Sequence, residues 1–188
     1  MGSVWIVSSV AEAKLLMDPM RREILRLLGA KALTGSELAK ILGLSPPAVT
    51  HHLQALERGK FITMIGAEAG KHGMVQKFYQ ANAQAFIIDK GKLPAYLRRY
   101  FIPAEMERVR GVMASLTLLK DGSFDTSAHS MERLCEKFAS SLLEVAQQYA
   151  ERPPDDDSEK LVNQLYREAL RMLLKSDTQI FHGLPPAT

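Results

Sequence analysis

Ser45-Pro46-Pro47-Ala48-Val49-Thr50-His51-His52-Leu53-Gln54-Ala55-Leu56-Glu57-Arg58-Gly59 reads as a helix with one buried and one open face. The Ser45 hydroxyl can accept from an orphan backbone N–H of the first turn, which makes it an N-cap. Pro46 then falls at the first helical position, where its missing N–H costs little and its fixed φ suits the helix. Val49, Leu53 and Leu56, spaced by four and three, define the buried stripe. Pro47, Ala48, Thr50, His51 and Gln54 lie on the other side, short or hydrogen-bonding and none of them acidic. Gly59 stands where such a helix can close.

Just upstream, Thr34-Gly35-Ser36-Glu37 matches a capping box, with the acid three residues after its cap. Leu38 and Ile41-Leu42 give that helix its buried face, and Gly43 ends it, because glycine enters a left-handed turn without steric cost. Two short helices joined by so tight a glycine turn are the signature of a helix-turn-helix. A second helix free of carboxylates on its open face suits the duplex, whose major groove accepts small polar groups and methyl contacts. Downstream, 61–65 and 75–79 read as strands around a polar, glycine-rich tip, 66–73. Strand, tip and strand make a wing, whose Lys71 and His72 suit the phosphate backbone or minor groove. The residues expected to meet DNA are therefore Ser45, Pro47, Ala48, Thr50, His51, Gln54 and Arg58 on the helix, with Lys71 and His72 on the wing.

The run from Leu38 to Leu53, Leu-Ala-Lys-Ile-Leu-Gly-Leu-Ser-Pro-Pro-Ala-Val-Thr-His-His-Leu, is similar to the DNA-reading core of the ArsR-like winged-helix repressors. Members typically show Ser-x-x-x-Val-Ser-x-His-Leu-x-x-Leu here, after Leu-x-x-Leu-Gly-Leu in the preceding turn. The resemblance covers residues 10–80. Beyond them it loosens to a likeness with archaeal-type members that carry a long helical tail. Pro46 stands where many members have a polar residue such as Gln, which removes one base or phosphate contact. Gly59-Lys60 stands where Ala-Gly is usual, so either the helix ends one residue early or Lys60 takes a strained turn. The resemblance implies a homodimeric transcriptional regulator on double-stranded DNA. Physics agrees with the dimer: two small heads about one helical turn apart read a near-palindrome and add their phosphate contacts.

Charge supports this reading. The net formal charge over 188 residues is only +3, but residues 1–80 hold ten Lys/Arg against six Asp/Glu, and the remainder fourteen against fifteen. The basic excess sits with the helix-turn-helix half. A chain with 46% hydrophobic and 24% charged residues is ordinary for a globular protein. No apolar run approaches the ~18 residues of a membrane span, and the N-terminus lacks a signal-peptide pattern, so a cytoplasmic protein is expected.

The expected fold is mainly α with a small β-wing: a winged helix-turn-helix over 1–82, then a helical region over 83–188. Residues 3–7 read as an extended arm or small strand. Ser8-Ser9 caps a first helix and Asp18-Pro19 a second, with Met20, Ile24, Leu27 and Leu28 as its stripe. Arg21, Arg22 and Arg26 lie on its other faces, read first as solvated and second as phosphate contacts. Residues 85–88 suit either a sheet edge or a helix start. A segment over 93–100 is expected to stop before Pro103, and a separate helix to follow over 104–119. A long helix from Thr126 or Ser127 to about Glu151 carries Met131, Leu134, Phe138, Leu142, Val145 and Tyr149, the expected dimerisation stripe. Pro153-Pro154 breaks it, and Asp155–Asp157 put negative charge at the start of a last helix, where the macrodipole favours it.

No enzyme is expected, since no phosphate loop, nucleophile elbow or acid/base pair is present. No cofactor or metal is expected either. Soft-metal members of the resembling family use paired cysteines at the helix-turn-helix, and this chain has none there. His51 and His52 are helix neighbours pointing about 100° apart; the first should face DNA and the second the domain flank. Cys135 reads as a small buried apolar residue. The helical region leaves room for a small-molecule effector that the sequence does not identify. The alternative function is a winged-helix protein-interaction module without sequence-specific DNA binding, because a fold does not fix a function.

Overall fold

Four side-chain caps set the helix starts of the N-terminal half. Ser9 and Glu12 form a capping box on α1 (Val10–Leu15), and Asp18 caps α2 (Pro19–Ala30), where Pro19 opens the helix. Thr34 and Glu37 form the expected box on α3 (Gly35–Leu42), and Ser45 caps α4 (Pro46–Arg58). The computed structural model describes residues 2–69, 75–120, 127–155 and 157–176. Its strands are β1 (Gly2–Val7), β2 (Leu33–Thr34), β3 (Ile62–Ala69), β4 (Val75–Ala81) and β5 (Ala83–Ile88), and three long helices follow: α5 (Ala95–Lys120), α6 (Ala128–Tyr149) and α7 (Ser158–Ser176). The architecture is mainly α with a small β-wing, a winged helix-turn-helix followed by a helical region.

The wing sheet has the order β2-β4-β3, antiparallel throughout, with Ile62 opposite Ala81 and Ala69 opposite Val75. A register shift between Met64 and Gly66 makes Ile65 the extra residue of a bulge, which sharpens the twist of the hairpin. A second sheet pairs β1 in parallel with β5, Gly2 opposite Ala83 and Val7 opposite Ile88. Residues 85–88 are thus strand rather than helix, and the ladder joins residues on both sides of position 82.

Two cores flank the β1–β5 ribbon. One holds Val7 with Ile24, Leu28, Leu38, Val49, Leu56 and Phe61 of the helix-turn-helix; the other holds Val4 and Ala85 with α5, α6 and α7. Trp5, Phe61 and Phe86 cluster on the first side, with ring centroids 5.5 Å (Trp5–Phe61), 6.3 Å (Trp5–Phe86) and 5.4 Å (Phe61–Phe86) apart. On the second side buried polar groups tie the ribbon to the α6–α7 connection. Gln84 donates through Nε2 to the Asp155 carbonyl (2.6 Å) and accepts from the Asp155 N–H (2.8 Å), as a backbone partner would. Ser3 donates to the carbonyls of Arg152 and Pro153. Each of these buried groups is satisfied, which is what makes its burial tolerable.

The α6 stripe lies inside this second core. Met131, Leu134, Phe138, Val145 and Tyr149 are buried against the chain's own α5, α7 and β1, and Leu142 is partly buried beside them. Tyr149 is further fixed by donating to Glu168 (2.9 Å) and accepting from Gln164 (2.7 Å), both on α7. Within one chain, the stripe expected to face a second copy packs against the chain's own helices. Cys135 is buried in the same core, and burial pushes its thiol up, away from the reactive thiolate. The break expected before Pro103 is absent: α5 runs through it as one helix. Pro103 is exposed, on a face where water can answer the one carbonyl its missing N–H leaves free.

The end of α4 departs from the usual pattern. Gly59 has an ordinary φ of −76°, and the left-handed residue is Lys60, at φ 61°. Phe61 donates to Leu56 O and Lys60 to Glu57 O, each at 2.9 Å, which is a Schellman closure with lysine in the glycine position. Glycine at 59 leaves room for the α1 end: a Cβ there would stand 2.4 Å from Leu15 Cδ1 and 3.1 Å from Phe61 Cδ2, so both side chains would have to shift. A left-handed non-glycine residue costs about 1–2 kcal/mol, and glycine's freer unfolded chain returns about half of that. Lys60→Gly is thus expected to raise stability by about 0.5–1 kcal/mol in urea melts. Gly59→Ala should lower it, since Leu15 must give way.

Candidate nucleic-acid interface

The turn between α3 and α4 is built as the sequence indicated. Gly43 closes α3 at φ 64° and ψ 28°, with its N–H on Ala39 O, and Leu44 donates to the same carbonyl at 3.0 Å. Glu37 accepts from the Thr34 N–H at 2.7 Å and from its hydroxyl at 2.9 Å. Those two bonds hold its carboxyl below the usual carboxylate range, so its part of the cap is present at neutral pH and lost on acidification through that lowered range. Ala48 N–H reaches Ser45 Oγ at 3.4 Å, and Val49, Leu53 and Leu56 bury the inner face of α4.

The outer face of α4 presents Ser45, Pro47, Thr50, His51, Gln54 and Arg58, all exposed, with Ala48 partly so. Helical spacing sets 47, 51, 54 and 58 in one row with 50 beside it. Thr50 donates its hydroxyl to the Pro46 carbonyl at 2.9 Å, which leaves oxygen lone pairs and the methyl facing out. Arg58 Nε donates to Gln54 O at 3.2 Å, and the rest of the guanidinium stays available. His51 and His52 rings lie edge to face at 5.8 Å. His52 turns to the flank, where its Nδ1 lies 3.4 Å from Asp18 Oδ2 beside the cap of α2, without a hydrogen bond. Lys71 and His72 lie outside the described residues; of the tip expected over 66–73, residues 66–69 are strand, because β3 runs on to Ala69.

The three arginines of α2 are occupied elsewhere. Arg21 approaches Asp18 (3.7 Å), Arg22 donates to the carbonyls of Leu16 and Met17 at the end of α1, and Arg26 bridges Glu23 (2.7 Å) and Glu159 of α7 (3.0 Å). The guanidinium beside Glu23 holds that carboxyl below its ordinary range. Charge free to meet a phosphate comes instead from residues not singled out in the sequence. Lys40 on α3, Lys60 after α4 and Lys77 on β4 are exposed, and none has an ion-pair partner among the described residues. Strand alternation could have flagged Lys77, which pairs across from Ala67 on the hairpin. Glu57 is also exposed on α4, close enough to Tyr79 of β4 to help burial raise that phenol. The helix thus carries one acid, on its wing side.

Residues 16–65, from the end of α1 into β3, match the family model described as a helix-turn-helix domain. Over 50 residues the chain is 36% identical to the transcriptional repressor SdpR of Bacillus subtilis (strain 168), covering 27% of this chain and 56% of that protein. The chain thus spans about half the length of this curated relative. Among solved structures, reduced HlyU from Vibrio cholerae N16961 is similar at 21% identity and TM-score 0.32, over 48% of this chain and 77% of that one. ZitR of Lactococcus lactis is similar at 19% identity and TM-score 0.33, over 69% and 83%. Among the described residues no helix is long and apolar enough to cross a membrane.

Proposed function

We propose that this protein is a cytoplasmic, sequence-specific DNA-binding transcriptional regulator of ArsR-like winged-helix type that acts as a homodimer. The outer face of α4 carries the reading: a row of Pro47, Thr50, His51, Gln54 and Arg58, exposed, with Glu57 the one exposed acid at its wing-side edge, on a helix fixed by Val49, Leu53 and Leu56. In the major groove this row would meet base edges, with Ser45 and Ala48 at the entry. Lys40, Lys60, Lys77 and the wing's Lys71 and His72 would hold phosphates. Base contacts specify and phosphate contacts position. The α6 stripe from Met131 to Tyr149 packs within its own chain, and whether any part of it also joins two copies is read from sedimentation of Leu134→Ala. The 50-residue likeness to a transcriptional repressor supports the same reading.

The test is binding to DNA selected from random fragments by the purified protein. Affinity should fall steeply with salt through counterion release, and Lys77→Ala should lower the log–log slope by about 1 for each phosphate it ceases to hold. Thr50→Ala should reduce preference for the selected site by about 1–3 kcal/mol at one or two positions per half-site, while Lys77→Ala weakens all sequences alike. A salt-independent affinity, or a preference unchanged in a folded Thr50→Ala protein, would refute the reading. One observation favours a protein-interaction module as second choice: Met64, Ile65 and Val75 stand 43%, 55% and 66% exposed on the wing hairpin. That module predicts no retention of DNA even at low salt.

A further inference from the structure

Between α2 and β5 on one side and α5, α6 and α7 on the other lies a cavity of about 420 Å³, within the range of small-molecule sites. Phe86, Phe101, Phe138, Leu142 and Val162 give it apolar walls. Its charged lining is unevenly matched. The two carboxylates, Glu23 and Glu105, are already paired, with Arg26 and Lys90. Arg108 meets only a neutral group, the Tyr166 hydroxyl at 3.3 Å, and Arg22 meets only backbone carbonyls. Among the described residues neither guanidinium has a carboxylate partner.

We infer that this cavity binds an amphiphilic monocarboxylate, a single carboxylate on an apolar body, with Arg108 and the Tyr166 hydroxyl taking the head and the phenylalanine walls the body. Guanidinium is the side chain best matched to a carboxylate, because its parallel N–H groups can bind both oxygens. A cationic ligand would meet two arginines that have no carboxylate partner among the described residues, and a neutral one would leave Arg108 with the Tyr166 hydroxyl alone. The inference does not depend on DNA binding. It does bear on α4, because α2 forms one wall and its cap, Asp18, faces His52 across 3.4 Å.

The chain's single tryptophan supplies a reporter, since Trp5 packs 6.3 Å from Phe86 in the cavity wall. Full-length protein is titrated with decanoate, decan-1-ol and decyltrimethylammonium below their micellar range, by calorimetry and Trp5 fluorescence. Decanoate is expected to bind about 10–100-fold more tightly than decanol, the factor of a charge-assisted hydrogen bond, and the ammonium more weakly still. Arg108→Gln, at an exposed position, should erase the preference for decanoate over decanol and leave the melting curve unchanged. Leu142→Phe and Val162→Phe, which fill the space, should each weaken both; a variant that melts early is set aside for the other. No binding of decanoate, equal binding of decanoate and decanol, or a preference that survives Arg108→Gln would each overturn the inference.

Discussion

Phe61→Ala is expected to lower the free energy of unfolding by about 3–5 kcal/mol, the range for removing a large buried ring. Phe61 is fully buried and lies between Trp5 and Phe86, at 5.5 and 5.4 Å, so its loss empties the joint where the β1–β5 ribbon meets the end of α4. Its backbone contributes as well. The Phe61 N–H closes the Schellman turn on Leu56 O, and its carbonyl accepts from Asn82 N–H at 2.8 Å. Alanine keeps both bonds, so the substitution isolates the ring. Urea melts followed by far-UV dichroism measure the loss, and Trp5 emission should shift to the red in the folded state. A loss under about 1 kcal/mol would mean the joint closes over the gap, against the usual behaviour of packed interiors.

Leu134→Ala should cost about 2–5 kcal/mol for a similar reason, at a residue fully buried in the α5–α6–α7 core. The measurement also tells an intrachain core from a seam between copies. With the stripe enclosed by the chain's own helices, Leu134→Ala should lower stability at every protein concentration while leaving the association constant from sedimentation unaltered. A variant of unchanged stability that dissociates more readily would return the stripe to the dimer interface.

What the sequence disclosed was local. Caps at Ser9, Asp18, Thr34 and Ser45, the glycine stop at 43 and the hairpin after α4 each depend on residues within a few positions of one another, and each is present. What it withheld depended on distant partners. A stripe at helical spacing shows that a face is buried without showing against what, so Met131 to Tyr149 read equally as dimer seam or core. Residues 85–88 could not be placed because their partner, β1, lies some eighty positions away. The two-residue β2 carries no period of its own and exists only through Phe78 and Tyr79 of β4. Pro103 marked a break because proline removes one helical hydrogen bond, yet on an exposed face water can answer the freed carbonyl. The arginines of α2 looked free because Leu16, Met17 and Glu159, which engage two of them, are not their helical neighbours.

The place of β1 sets a timetable for the nascent chain. β1 is made some eighty residues before its parallel partner at 83–88, and Ser3 finds the carbonyls of 152 and 153 later still. At roughly 5–20 residues per second, synthesis leaves β1 waiting about 4–16 s for β5 and about twice that for the α6–α7 connection. During that interval Val4, Trp5, Ile6 and Val7 are an apolar stretch without its ladder partner, and an unpaired apolar edge of that kind is prone to capture a neighbour. The helix-turn-helix between, made of local contacts, closes first and fast. Its joining to the helical region through β1 and β5 has to wait for residues made later in the chain.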